Sequence, residues 1–411
     1  MKWYPRENYL KKIRGFYHDS EMIKVITGVR RCGKSCLMQT IAEELELNGI
    51  ASQNILYIDL DRRGFRTVKQ AGQLEALIDE LSDDVSGMKY IFIDEIQNVL
   101  NFEEVLNGYR SEGEYSIFIT GSNSYLLSGE LITKLTGRYL EFEMYPLTFE
   151  EYLGMKEFLG YSINTDITQE FELFIREGGF PKTLQYQTME DKHTYVQGIV
   201  SEIFEKDIRK RVKIKNSSVF YQIQTYIINN FGAPASLSNI LSDLRKNNCN
   251  IKRETLNRYI QILIDAKILY KCERFDLKSR KSITGEHKYY LADLSFYFST
   301  NTDNRINYGP ALENIVYIYA KSKGYAVSIG RIGKLECDFI LRDTSASYSY
   351  VQVAMTIMNS IETENREYAP LEKIMDNYPK YLVTRNDLIQ QRNGIKHVNI
   401  GSFMKKGSLF C

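Results

Sequence analysis

The chain has 411 residues, 43% hydrophobic and 26% charged, with a net charge of +1. This is the composition of a globular protein of two to four domains, at roughly 100–200 residues each, and so balanced a total implies no partner by itself. Six cysteines (Cys32, Cys36, Cys249, Cys272, Cys337 and Cys411) form no Cys-x-x-Cys pair and no zinc-spaced set with histidine, which argues against a disulfide framework and for a reducing compartment.

The opening residues, MKWYPRENYLKKI, lack the apolar core of a signal peptide. No run of 18 apolar residues follows anywhere. A cytoplasmic protein with no membrane span is expected.

Residues 22–27 (MIKVIT) are apolar and rich in β-branched side chains, and predict a buried strand. GVRRCGKS follows at 28–35, then a helical pattern ending at Gly49. Strand, Gly-x-x-x-x-Gly-Lys-Ser and helix are the setting of a phosphate-binding loop. Gly28 and Gly33 free the backbone to turn its N–H groups toward phosphate, and Val29, Arg30, Arg31, Cys32 and Cys36 complete the loop wall. Lys34 is expected to reach the β- and γ-phosphates of ATP, and the Ser35 hydroxyl to ligate Mg²⁺.

NILYIDL at 54–60 is a further apolar strand, with Asp59 and Asp61 at its end reading as an acidic turn. YIFIDE at 90–95 predicts a buried strand that ends in two carboxylates. Asp94 is assigned to the Mg²⁺ ion, and Glu95 to activation of the attacking water. SIFITGSNS at 116–124 is a third strand, expected to lie between the first strand and the Asp-Glu strand. Ser122 and Asn123 at its end either touch the γ-phosphate or form a plain Gly-Ser turn. Arg138 either stabilises γ-phosphate charge, within one subunit or across an interface, or makes a salt bridge at a strand start.

GVRRCGKS, YIFIDEIQNV, IFITGSNS, LTGRYLEFEMYPLTFEEY and REGGFPKTL occur in that order. The pattern resembles a large group of prokaryotic ATP-binding proteins that join an AAA-type P-loop domain to a C-terminal domain of unknown function with a restriction-endonuclease-like core. The resemblance spans nearly the whole chain and implies an ATPase whose acidic catalytic residue, here Glu95, stands beside the Mg²⁺ ligand.

Residues 151–215 are helix-prone and read as a lid or linker. From 217 come an apolar helix, a second helix at 236–247, and an amphipathic third at 252–270. Two strand-like runs follow, ILYKCERF and EHKYYLAD, with Lys278, Arg280 and Lys281 between them. That order predicts a winged helix over 216–300. Residues 201–290 carry 18 Lys+Arg against 9 Asp+Glu, so double-stranded DNA is a candidate partner, with Lys252, Arg253 and Arg258 on the recognition helix. Winged helices also serve as packing modules.

In residues 301–411, Glu313 opens a helix, Glu336 and Asp338 bracket Cys337 on a strand, and Gln352-Val353-Ala354 occupy the next. Helix-Glu, strand-Asp, strand-(Glu/Gln)-x-Lys is the metal-site order of restriction-endonuclease-like domains. Here the last ligand is an amide and the lysine an alanine, which predicts the fold without nuclease chemistry. Lys334 is the nearest candidate replacement for that lysine.

The expected architecture is α/β: an AAA-like parallel-sheet ATPase core over 1–150, the helical segment, the winged helix, then the endonuclease-like domain. Two functions fit. One is an ATP-driven protein acting on DNA. The other is an ATP-gated protein–protein switch with a protein partner at the C-terminal domain.

Overall fold

A computed structural model describes residues 2–83, 85–121, 135, 137–209, 214, 216–247, 249–279, 281–301 and 305–411. Among them no helix is long and apolar enough to cross a membrane. The chain divides into two compact units, Met1–Tyr145 and Pro146–Cys411.

The first unit is built on five strands: β1 (Ile23–Gly28), β2 (Ile55–Asp59), β3 (Lys89–Asp94), β4 (Tyr115–Thr120) and β5 (Tyr139–Met144). Their order is β2-β3-β4-β1-β5, and every neighbouring pair is parallel. Strands β1, β3 and β4 are buried along their whole length. Helices cover them: α1 (Glu7–Ile13), α2 (Lys34–Leu47), α3 (Ala71–Ser82) and α4 (Phe102–Glu112). A sheet covered on both faces needs continuous apolar runs rather than alternation, which is why KVIT, YIFID and SIFIT read as they do. Phe92 and Phe118 stack across β3 and β4 with ring centroids 4.7 Å apart. Lys24 is buried in the middle of this sheet, yet its ammonium donates to the carbonyls of Asp19 and Met22 and to the Ser116 hydroxyl. Burial pushes its pKa down to about 7, against the opposing charge of Asp19.

The second unit starts with helices α5 (Phe149–Phe158), α6 (Ile167–Glu177) and α7 (Met189–Glu202), the last running on into a π-helical stretch, Ile203–Arg209. Next come α8 (Ser217–Asn229), the two-residue strand β6 (Pro234–Ala235), α9 (Leu237–Lys246), α10 (Arg253–Asp265) and a hairpin of β7 (Leu269–Asp276) and β8 (Lys281–Leu291). After α11 (Ser295–Thr300) and α12 (Tyr308–Lys323) the chain forms β9 (Ala326–Ile332), β10 (Leu335–Arg342), β11 (Tyr348–Val353), α13 (Ile361–Glu372), β12 (Lys380–Thr384), β13 (Gln391–Arg392), β14 (Ile395–Asn399) and α14 (Ile400–Lys405). One mixed sheet holds all nine strands, in the order β13-β14-β12-β11-β10-β9-β7-β8-β6. Strand β7 pairs in parallel with β9, so the sheet runs unbroken across residue 300. The α/β class expected from sequence is therefore observed in both units, parallel in the first and mixed in the second.

Candidate nucleotide site

The loop joining β1 to α2 is shaped by residues that tolerate positive φ. Gly28 has φ +140°, and a Cβ there would collide with the Met144 carbonyl and lie 2.9 Å from the Cys32 sulfur. Gly33 takes φ 109° as the residue preceding α2, and Arg31 takes φ 69°. No side chain caps α2, and its first turn carries no acidic residue. The first N–H groups of such a helix have no partner in the helix itself, and its dipole adds positive potential at the same end. A phosphate fits that donor set.

Lys34 is buried, and its ammonium donates to the carbonyls of Gly28 (3.0 Å) and Val29 (3.2 Å), across the mouth of the loop. Arg6 braces the loop from outside, donating to the Cys32 carbonyl at 3.2 Å and to the Tyr145 carbonyl at 3.1 Å. Burial raises the pKa of the Cys32 thiol, and likewise that of Cys36, where the charge on Asp94 adds to the effect. Both thiols are thereby kept protonated.

Strand β4 lies between β1 and β3, as expected. Parallel pairing brings the C-terminal ends of all three to one edge, so Asp94 and Glu95 emerge beside the loop. Asp94 is buried, and its carboxylate accepts a short hydrogen bond from the Thr120 hydroxyl. The same hydroxyl accepts the Glu95 amide at 3.3 Å. Glu95 adopts left-handed φ (58°), a conformation uncommon for a residue with a side chain, and its carboxylate accepts from the Gln97 amide. Burial raises the Glu95 pKa, while the charges of Lys34 and Arg30 pull it back.

Thr120 was not among the residues singled out from sequence. A threonine closing a buried strand is ordinary, and only the strand order reveals that it bridges the two carboxylate positions. Ser122 and Asn123 lie outside the described residues. Arg138 is exposed directly before β5, its carbonyl accepting the Ile23 amide at the beginning of β1. The P-loop is at the other end of β1, five residues on, or about 16 Å at 3.3 Å per residue. Within one chain, Arg138 is therefore not grouped with the site: its backbone stands at the far edge of the sheet from Lys34 and Glu95. Asp59 pairs in register with Asp94, but its carboxylate is turned to Arg62 at 3.0 Å.

In the second unit, Lys252, Arg253 and Arg258 at the start of α10, and Lys278 and Lys281 at the hairpin turn, are all exposed. Arg280 lies outside the described residues. Glu313, Glu336 and Asp338 do converge, but Lys334 is exposed and takes no part. The cation that lies within 4 Å of all three is Lys288 of β8.

The fold and loop define the class: a P-loop nucleotide-binding protein, whose residues 20–153 match the family model "AAA domain". The chain belongs to the family of an uncharacterized Haemophilus influenzae protein, to which it is 36% identical over 384 residues, 92% of each chain. An uncharacterized protein of Methanocaldococcus jannaschii is 29% identical over 379 residues, 89% of this chain and 82% of that one. A second family model, "Domain of unknown function (DUF8612)", matches residues 168–304 and so ends before α12. Among solved structures, the Walker-type ATPase of Pyrococcus abyssi superposes with a TM-score of 0.50 at 16% identity, covering 72% of this chain and 95% of that one.

Proposed function

We propose that the chain hydrolyses ATP with Mg²⁺ at the β1–α2 loop and uses the cycle to drive or switch its second unit. The observation that carries this reading is the pairing of Lys34, at an uncapped helix start, with Asp94 and Glu95, at the end of a strand one removed from β1. The N–H groups of residues 30–36 and the Lys34 ammonium hold the phosphates. Ser35 and Asp94 hold the ion, which screens the charge of the triphosphate. Lys34 exchanges its bonds to the Gly28 and Val29 carbonyls for phosphate oxygens. Glu95 accepts the proton of the attacking water, and Thr120 fixes the backbone from which both carboxylates project.

Two substitutions test it. Lys34→Ala should abolish or greatly weaken ATP binding. Glu95→Gln should leave binding intact and slow hydrolysis by about 10²–10⁴-fold, the usual worth of a positioned general base. Hydrolysis by Glu95→Gln at the wild-type rate would remove Glu95 from the mechanism.

For the second unit the reading is a winged helix, formed by α8, α9, α10 and the β7–β8 hairpin, that contacts the phosphate backbone of duplex DNA. The support is the set of exposed cations on α10 and at the hairpin turn, none of which makes an ion pair among the described residues. The order α12-β9-β10-β11-α13-β12 is read as an endonuclease-like core that lacks cleavage chemistry. ATP turnover measured with and without duplex DNA at two salt concentrations decides between a DNA-coupled ATPase and a protein switch.

A further inference from the structure

Four ionic side chains from three separate elements meet inside the second unit. Lys288 of β8 places its ammonium 2.8 Å from Glu313 Oε2 on α12, 3.0 Å from Glu336 Oε1 and 3.9 Å from Asp338 Oδ1, the last two on β10. Lys288 and Asp338 are both buried. Other groups close around the same carboxylates. Tyr290 donates its hydroxyl to the Glu313 Oε2 that Lys288 also contacts, at 3.0 Å, Arg274 reaches the second oxygen of Glu336 at 2.5 Å, and the Val353 amide donates to Asp338 Oδ2 at 2.8 Å. Gln352, on the neighbouring strand, points at none of the three carboxylates. Its carbonyl accepts the Asp338 amide at 3.3 Å, and its NH₂ donates to Glu367 at 3.1 Å.

A carboxylate on a helix and another on an adjoining strand are what a divalent cation needs. An ion ligated by these same oxygens would stand ~2.1–2.5 Å from each, inside the volume that the ammonium fills. Two cations do not share that space. A lysine that assists a metal would be set to one side of the carboxylates, whereas this one contacts two of them and approaches the third. We infer that the Lys288 ammonium is the resident cation of this centre, filling the place of a divalent ion and fastening β8 to α12 and β10.

The balance of charges agrees. Burial opposes the charge on Lys288, but Glu313, Asp338 and Glu336 together outweigh it and hold its pKa above the ordinary lysine value. Burial, then the charge of Glu313, raises the Asp338 pKa, against the opposing pull of the Lys288 charge and the Val353 amide. None of this depends on nucleotide chemistry at the P-loop.

The test is Mn²⁺ binding to the full-length, nucleotide-free protein, followed by electron paramagnetic resonance and by thermal unfolding. Wild type and Asp338→Asn should bind the same number of Mn²⁺ ions. Lys288→Met should unfold at lower temperature, gain one Mn²⁺ site and recover part of its lost Tm on adding Mn²⁺. The double variant Lys288→Met/Asp338→Asn should lose that site. A wild-type Mn²⁺ ion that disappears in Asp338→Asn overturns the inference, as does a folded Lys288→Met that gains none. Should Lys288→Met fail to fold, the comparison of wild type with Asp338→Asn still decides, because a resident metal requires the two to differ.

Discussion

Thr120 does the work of two contacts with one oxygen. Its hydroxyl donates to the Asp94 carboxylate and accepts the Glu95 amide, so it holds the two residues proposed to bind the ion and activate water in one frame. Thr120→Val keeps the shape of the side chain and removes both bonds. We expect ATP affinity within a few-fold of wild type and kcat lowered by about 10–100-fold, since a small misplacement of reacting groups costs rates of that order. Thr120→Ser should restore most of the loss, and a Thr120→Val enzyme with wild-type kcat would remove this role. Glu95 itself is a carboxyl whose pKa burial raises and whose neighbours Lys34 and Arg30 lower. If it is the base, activity disappears as it takes a proton, and the acid limb of kcat/KM must lie above the ordinary glutamate range. Arg30→Ala takes away one of the two positive charges, so the limb should move to still higher pH; a pH–rate profile that stays put or moves down contradicts the assignment. The placement of Lys34, Asp94 and Glu95 at strand ends was legible in sequence because each follows directly on an apolar run or a Gly-x-x-x-x-Gly loop. Thr120 was not, because its role exists only once β4 is inserted between β1 and β3. The separation of Arg138 from the loop within one chain was hidden for a related reason. Its place after a sensor-like strand suggested the site, but parallel pairing puts the start of β5 at the opposite edge from the loop.

The elements of the second unit divide the same way. The apolar face of α10 was visible as a periodic pattern of Leu256, Ile260, Leu263 and Ile264; the first three are buried, whereas Ile264 is only half-buried and Ile262 is buried beside them. What the pattern hid was the partner of the hairpin. Strand β7 joins β9 of the C-terminal sheet, over 50 residues further along, a pairing between distant segments that no local window carries. Lys288 was equally hidden, because it reaches the Glu313–Asp338 carboxylates from a strand that precedes them. The exposed side of α10 and the hairpin turn yield a measurable expectation. If Arg253, Arg258, Lys278 and Lys281 sit against DNA phosphates, each alanine substitution should weaken binding equally across sequences and make the slope of log K against log salt shallower by about one. Four substitutions together should leave a slope smaller by about four, read from anisotropy titrations at several salt concentrations. Slopes unchanged by all four would place DNA elsewhere or nowhere on this unit.

For the whole molecule, the division after Tyr145 places the P-loop in the first unit and the basic α10 and hairpin in the second. The first unit is self-sufficient in the terms that matter. Its sheet contains every strand that positions the loop, and its apolar cluster is drawn from Ile23 through Leu135 with Tyr139 packed against it. Its N-terminal helix is tied in by Arg6, bonded to the Cys32 and Tyr145 carbonyls, and by Tyr9, whose hydroxyl accepts the Tyr145 amide at 3.0 Å. The fragment 1–145 therefore keeps both ends of these ties. It should fold cooperatively and bind ATP with an affinity within about tenfold of the full chain, a difference of ~1.4 kcal/mol. A fragment starting at residue 18 loses Arg6 and Tyr9 and should bind far more weakly, although it retains every residue of the loop. If DNA stimulates the intact protein, fragment 1–145 should hydrolyse ATP at an unstimulated rate whatever DNA is added, because the exposed cations of α10 and the hairpin are absent from it. Calorimetric titration with a slowly hydrolysed ATP analogue checks the binding. Stimulation of fragment 1–145 by DNA would put the nucleic-acid contact on the ATPase unit itself and separate it from the basic surface of the second.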